Sequence, residues 1–227
     1  MPYTRFGVRN QVIEWYYQSA KKYNDPFNEI EADVLFTDPE GRLWKIPAFW
    51  AGGDEWVVRF APRLAGTYKY HISCSDSSNT GLNGLEGILQ VRPYEGDNKL
   101  YKHGPLKISS EGPYFEHLDG TPFFWLGDTW WMCLSDRLKW PEDFKELTLD
   151  RKSKGFTVVQ IVAGFFPNMC AYDIRNMNEA GFPWNEGFNR INPAFFDMAD
   201  LRIHWLVKSG IVPCILAAWA YYLPWAG

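Results

Sequence analysis

A single carboxylate, Asp128, lies within the aromatic run FFWLGDTWW at residues 123–131. Burying a charge is unfavourable unless the charge is paired or hydrogen-bonded, so the position needs an explanation. Aromatic rings can stack on the flat C–H faces of sugars, and a neighbouring carboxylate can accept hydrogen bonds from sugar hydroxyls. The alternative is that Asp128 accepts hydrogen bonds from backbone N–H groups of its own turn. The run therefore predicts either a ligand-facing carboxylate or a structural one.

Other aromatic and amide side chains follow the predicted buried strands, where parallel α/β folds present their ligand-binding groups. Together with Asp128, the predicted substrate-binding residues are Trp130, Trp131, Asn168, Asn178, Trp219 and Tyr221. The two adjacent indoles are also ordinary core material, so packing is the alternative for them. Asn178 lies in a connection of about 30 residues, and such long connections are often functional. The carboxylates of this connection, Asp173, Glu179 and Glu186, are interpreted as solvated surface charges.

Composition and motifs exclude several classes of function. The net charge of −4 and the absence of any Lys/Arg run argue against a nucleic-acid partner. The four cysteines and four histidines are scattered without CxxC or HExxH spacing, so neither a metal site nor a disulfide framework is predicted. No glycine-rich nucleotide motif is present, and no cofactor is expected. No apolar run is long enough to cross a bilayer, so no membrane partner is expected. No signal peptide is evident, so the sequence as given predicts a cytoplasmic protein.

Residues 8–93 alternate apolar and polar side chains in the manner of strands with one buried face. The clearest segments are 30–36, 55–60 and 68–73, and turn-forming clusters such as DPEG at 38–41 separate them. Short strands at these intervals predict an antiparallel Ig-like β-sandwich for residues 1–96. No Cys–Trp–Cys core is present, so the likeness to immunoglobulin domains would be one of architecture.

From residue 97 onward the pattern changes to apolar strands that alternate with amphipathic helices, which indicates a parallel sheet. Strands are predicted at 123–126, 158–162 and 211–217, and helices at about 141–154 and 193–209. We therefore expect residues 97–227 to form the first part of an α/β (β/α)8 TIM barrel, with barrel strands 1–3 and helices 1–2. A small α/β domain that is complete with three strands is the alternative.

Residues 114–219 resemble the start of the apiosidase-like (β/α)8 glycoside hydrolases and are similar to glycoside hydrolase family 140. The matching segments are DG at 119–120 leading into PFFWLGDTWW, then GFTVVQIV, the Asn178-x-x-Gly181-x-Pro183 loop, NPAFFDMADLRIHWLVKSGI and Trp219. The preceding residues resemble the Ig-like N-terminal domain that is often fused to that barrel. The segments that carry this second resemblance are YNDPF at 23–27, FWAGG at 49–53, WVVRF at 56–60 and GTYKY at 66–70.

The resemblance implies hydrolysis of a complex, plant-type polysaccharide by a retaining pair of carboxylates. In this family the pair lies on later barrel strands, so we expect no catalytic residue in this chain, which would be inactive alone. Asp128 then corresponds to a substrate contact, and the partner is an oligo- or polysaccharide. The parent family could be periplasmic or secreted, which leaves the compartment open. The alternative is a non-catalytic carbohydrate- or protein-binding chain built around the sandwich.

Overall fold

The computed structural model describes residues 3–164, 166 and 169–217. The chain divides into two compact units, Met1–Asp97 and Asn98–Gly227. The first unit consists of strands and one short helix, in the order β1 (Tyr3–Val8), β2 (Ile13–Gln18), α1 (Pro26–Glu29), β3 (Ala32–Thr37), β4 (Leu43–Gly52), β5 (Glu55–Phe60), β6 (Gly66–Cys74) and β7 (Glu86–Arg92).

All seven strands of the first unit belong to one mixed sheet in the order β1-β7-β6-β3-β4-β5-β2. Every second residue of β3 and β6 is buried, as the alternation in the sequence predicts. The inward side chains form an aromatic core in which Phe36 stacks on Phe60 at 4.3 Å and meets Trp15 edge-on at 5.9 Å. The guanidinium of Arg5 on β1 lies 4.7 Å from the ring of Trp15 on β2, so the two edge strands approach each other.

The predicted Ig-like sandwich of two packed sheets is therefore wrong, because a single, nearly closed sheet curls around the core. The first strand, β1, pairs in parallel with the last strand, β7, while every other pair in the sheet is antiparallel. Period-two alternation identifies strands with one buried face, but it carries no information on which strands are neighbours.

The second unit combines a small antiparallel sheet with a parallel one. Its elements are α2 (Lys99–His103), β8 (Leu106–Ile108), β9 (Phe115–His117), β10 (Pro122–Phe123), β11 (Gly127–Thr129), α3 (Glu142–Ser153), β12 (Val158–Val162), a 3-10 helix (Ile174–Asn176), α4 (Pro193–Lys208) and β13 (Val212–Leu216). The antiparallel sheet has the order β10-β9-β8, and the parallel sheet has the order β11-β12-β13. Among the described helices, none combines the length and apolarity that crossing a bilayer requires.

Local signals in the sequence fix the helices of the second unit. Helix α3 begins after Pro141 and is followed by Gly155 at φ +83°, a left-handed position that glycine adopts without strain. Helix α4 has Pro193 in its first turn and ends before Gly210 at φ +84°. Residues of both helices pack with the buried side chains of β12 in one apolar cluster. These helix positions confirm the sequence-based ones to within a residue or two.

The predicted partial TIM barrel is also wrong as a fold class, since the protein is mostly β and the described parallel sheet has three strands in an open order. Its first predicted strand, residues 123–126, was misplaced as well. Phe123 belongs to the antiparallel hairpin, Phe124 is 74% exposed, and the parallel strand begins only at Gly127. An apolar run cannot distinguish a buried strand from a hairpin arm with exposed aromatic residues.

Candidate functional site

A pocket of about 480 Å³ lies beside β11 and is the candidate site of the second unit. It is formed by residues of β11, of the turn that follows it and of α3: Thr129, Trp130, Trp131, Met132, Cys133, Arg137, Leu138 and Leu147. Trp131, in the turn that follows β11, is 40% exposed, so the pocket is reached from solvent. Polar and aromatic groups at the carboxyl end of a parallel strand are the usual place for ligand contacts in α/β proteins.

Alternation along β11 separates the predicted site residues into two groups. Asp128 pairs in register with Val159, whose side chain belongs to the cluster beneath the helices, and Trp130 continues on the same face. The indole of Trp130 is 7% exposed and meets the ring of Phe144 on α3 edge-on at 5.7 Å. Trp131 is displaced by one residue and is 40% exposed. The structure therefore assigns Trp130 to the core and presents Trp131 at the pocket.

The carboxylate of Asp128 is held by three donors of its own unit. The backbone N–H of Thr129 donates to Oδ1 at 2.8 Å, and the indole Nε1 of Trp130 donates to Oδ2 at 2.9 Å. Arg151, in the last turn of α3, forms an ion pair with Oδ2. Burial alone raises the pKa of Asp128, but the hydrogen bonds from Arg151, Trp130 and Thr129 outweigh it and lower the pKa below its ordinary value. These bonds favour the ionised form of Asp128, and the carboxylate fastens β11 to α3.

A row of side chains crosses the sheet on the face opposite to Asp128. Thr129 pairs in register with Gln160 of β12, and Gln160 pairs with Cys214 of β13. Side chains in register on neighbouring strands share a face, so these three lie side by side. Thr129 is exposed and the other two are half-buried. This row was not among the predicted site residues, although pairing the segments LGDT and TVVQ as parallel strands would have indicated it.

Asn178 lies in the interior of the connection between β12 and α4 and is 2% exposed. Its amide nitrogen donates to the carbonyl oxygens of Leu134 at 3.3 Å and Phe195 at 3.0 Å, and its Oδ1 accepts from the backbone N–H of Ala180 at 2.9 Å. Both kinds of polar atom are therefore engaged inside the fold. Asn178 therefore connects three segments by hydrogen bonds, and this geometry does not support its predicted contact with a substrate.

Glu179 differs from its interpretation as a solvated charge. Its Oε1 accepts a hydrogen bond at 2.8 Å from Nη2 of Arg202 on α4, a side chain with 0% exposure. Burial alone raises the pKa of Glu179, but the bond from Arg202 outweighs it and lowers the pKa. Arg202 could have been found in the sequence, because it occupies a core position of the helix stripe formed by Phe195, Ala199 and Leu206.

Three predicted site residues, Asn168, Trp219 and Tyr221, lie outside the described residues. Within the part of the chain that is described, no group of three or more His, Cys, Asp or Glu side chains could hold a metal ion. Asp128 and Glu179 pair with Arg151 and Arg202, so neither carboxylate is poised to exchange protons. The pocket can offer the ring of Trp131, the hydroxyl of Thr129 and the guanidinium of Arg137 to a ligand.

Two domain-family models match the chain. The apiosidase-like catalytic domain covers residues 109–227, and a domain of unknown function, DUF5060, covers residues 9–75. The comparison with curated proteins gave no match.

Solved structures of bacterial origin resemble the chain. A candidate glycoside hydrolase of Bacteroides vulgatus ATCC 8482 aligns with a TM-score of 0.70 and 24% identity, over 93% of this chain and 41% of that one. A family 5 glycoside hydrolase of the same organism aligns with a TM-score of 0.44 and 27% identity, over 56% of this chain and 28% of that one. The first likeness shows a shared fold, and the second is too weak to carry an argument. Since the catalytic-domain model covers just over half of its residues, the chain belongs to the apiosidase-like family.

Proposed function

We propose that this chain is part of a glycoside hydrolase that acts on a complex, plant-type polysaccharide. The observation that carries the proposal is the match of the apiosidase-like catalytic domain to residues 109–227. The same match argues against a purely non-catalytic binding chain, because it covers nearly all of the second unit. A neutral or weakly charged sugar chain also suits the pocket, which combines an exposed indole with a hydroxyl group and an arginine.

Within this proposal, Trp131 is the substrate contact and Asp128 has a positioning role. The exposed ring of Trp131 stacks on a sugar, and Thr129 donates or accepts a hydrogen bond beside it. Asp128 holds the indole of Trp130 and the guanidinium of Arg151, so it fixes the backbone from which both side chains of the site project. A direct bond between Asp128 and the substrate would have to use the lone pairs that these donors leave free.

The chemical step in this proposal is a retaining displacement by two carboxylates. Asp128 and Glu179 are committed to Arg151 and Arg202, so neither suits the role of nucleophile or general acid. The chain spans 41% of the length of its Bacteroides vulgatus structural relative. We propose that the catalytic pair lies in sequence beyond residue 227 and expect the present chain alone to release no sugar.

The test uses the full-length product of the gene and a panel of plant cell-wall polysaccharides. We expect the protein to release reducing sugars. Proton NMR should show that the product retains the anomeric configuration of the substrate. Trp131→Ala should lower kcat/KM by about two- to tenfold, the value of one aromatic contact. Trp125→Ala is the matched control, because Trp125 is 41% exposed and lies outside the pocket.

Each arm of this experiment can fail separately. Absence of sugar release from every polysaccharide would remove the glycosidase proposal, and an inverted product would remove the retaining mechanism. Equal losses in the Trp131 and Trp125 variants would show that the pocket is not the substrate site. Circular dichroism of both variants ensures that folded proteins are compared.

A further inference from the structure

The outward face of the first unit carries a row of apolar side chains that the core does not use. On β2, β5 and β4, the residues Tyr16, Val57 and Phe49 lie directly opposite one another in the antiparallel register. Directly opposed residues project from the same side of a sheet. Their neighbours along the strands, Trp15 and Trp56, point to the other side and belong to the core. The row therefore faces away from the interior.

Two exposed rings stand at the ends of this row. Tyr16 is 56% exposed and Phe49 is 37% exposed, whereas Val57 between them is 2% exposed. Because neighbouring strands lie about 4.8 Å apart, rings on two strands separated by a third stand roughly 10 Å apart. This separation matches the length of a disaccharide unit in an extended β-linked glycan. Two rings at such spacing can contact alternate sugars on the same side of one chain.

Charged groups of fixed position border the rings. Glu14 and Arg59 are also directly opposed in register, and Nε of Arg59 donates to Oε2 of Glu14. The hydroxyl of Tyr16 donates to Oε1 of Glu14 at 3.0 Å, and the guanidinium carbon of Arg59 lies 4.8 Å from the centre of the Phe49 ring. Carboxylate and guanidinium groups held beside rings provide the acceptors and donors that sugar hydroxyls need.

We propose that this surface, the platform formed by Tyr16, Val57, Phe49, Glu14 and Arg59, is a second carbohydrate-binding site that holds an extended, neutral β-linked glycan. The choice of ligand class rests on the proposed function, whereas the location of the site rests on the register and exposure of these residues. A neutral glycan is favoured over an acidic one because the chain carries a net charge of −4.

A protein partner fits this surface less well. The centre of a protein–protein interface is depleted of charged residues. Here Glu55 and Lys45 extend the charged frame, since both are exposed and each lies an even number of residues from a platform residue on its own strand. The apolar part of the platform is confined to one short row, so it suits a narrow ligand.

The test is isothermal titration calorimetry of the 227-residue chain with cellohexaose, xylohexaose and mannohexaose. We expect at least one of these neutral chains to bind, and Phe49→Leu or Tyr16→Ser to weaken that binding by about two- to tenfold. Both substitutions remove a ring from an exposed position, and thermal unfolding checks that the variants remain folded. His71→Ala is the control, since His71 is an exposed ring on β6, a strand that is not adjacent to any of the platform strands.

The possible outcomes separate this proposal from the function of the pocket. Binding to none of the three glycans, or binding that neither platform variant weakens, overturns the platform. The same holds if Trp131→Ala abolishes binding while both platform variants bind normally, or if light scattering finds a dimer that Phe49→Leu dissociates. Hydrolysis of a short aryl glycoside by the full-length product should be unchanged by Phe49→Leu. Failure of hydrolysis in the wild type counts against the proposed function and leaves the platform standing.

Discussion

Removing the carboxylate of Glu179 tests the buried ion pair that joins the long connection to α4. Arg202 is 0% exposed, and its described hydrogen bonds go to Oε1 of Glu179 and to the carbonyl oxygen of Met198. Its Nε has no partner among the described residues. Glu179→Ala therefore leaves a fully buried cation with a single carbonyl acceptor, which is a severe loss for a charged group.

The expected cost follows from the burial of the two partners. Breaking a buried pair by deleting one partner costs about 3–5 kcal/mol. The Glu179 side chain is 37% exposed, so water can replace part of its interaction with Arg202. We therefore expect the lower end, about 3 kcal/mol, which corresponds to a fall in melting temperature of roughly 10 °C. Glu186→Ala should change the free energy of unfolding by less than about 0.5 kcal/mol, because Glu186 is an exposed carboxylate of the same connection.

The assay is urea denaturation followed by tryptophan fluorescence, with hydrogen exchange to locate the loss of protection in α4. Adding Arg202→Met to Glu179→Ala should restore much of the stability, since an apolar side chain needs no counter-ion.

The stability that Glu179 contributes should also depend on pH. Because the pKa of Glu179 is lowered on folding, its contribution to the free energy of unfolding is complete above the unfolded pKa of about 4.3 and is lost as pH falls through the lower folded pKa. The difference in the free energy of unfolding between the wild type and Glu179→Ala should therefore become smaller in acid. A loss equal to that of Glu186→Ala would refute the reasoning.

Three further outcomes are expected. Asp128→Ala should lower the free energy of unfolding by about 2–3 kcal/mol, because it strips Arg151 and Trp130 of a shared acceptor, whereas Asp150→Asn should cost far less in the same denaturation assay. Burial raises the pKa of Cys133 to about 12, so a thiol reagent at neutral pH should modify the exposed Cys170 first and Cys133 only after unfolding. Asn178→Ala should speed proteolysis within residues 171–191, since it removes the bonds that fix this connection.

Each of these three outcomes has a result that would contradict it. Equal stability losses for the Asp128 and Asp150 variants would mean that the Asp128 network is no more than a surface ion pair. Modification of Cys133 in the native protein, detected by mass spectrometry, would contradict its burial. Unchanged proteolysis of the Asn178 variant would return Asn178 to the predicted role in ligand contact.

Local signals in the sequence predicted the helices and β12, while the overall architecture could not be read in the same way. The helices begin at or next to Pro141 and Pro193 and end shortly before glycines. These boundaries depend on a few neighbouring residues, so the sequence predicted them correctly. The parallel pairing of β1 with β7 joins residues more than eighty positions apart, as Tyr3 and Gly87 show. A local sequence pattern cannot predict such a distant pairing. The sequence therefore could not distinguish one curled sheet from two packed sheets.

The positions of the buried charges were the second feature that the sequence did not predict. Arg202 was not predicted to be buried, although it lies among the most buried residues of α4, which are Phe195, Ala199 and Leu206. An arginine in a core stripe requires a partner, and the carboxylate that provides it, Glu179, is 23 residues away in an irregular segment. Spacing rules for helices cannot identify such a pair, since the loop conformation decides which side chains reach the helix.

The run FFWLGDTWW shows how the face of a strand, more than the type of residue, decides between core and site. Trp130 and Trp131 are chemically identical neighbours, yet one is 7% exposed and the other 40% exposed. The difference arises because Asp128 and Trp130 project towards α3, where Arg151 and Phe144 receive them. A carboxylate committed to an arginine on that face can hold the edge strand against its helix. The adjacent ring then projects from a fixed backbone, which is the condition a stacking contact needs to be specific.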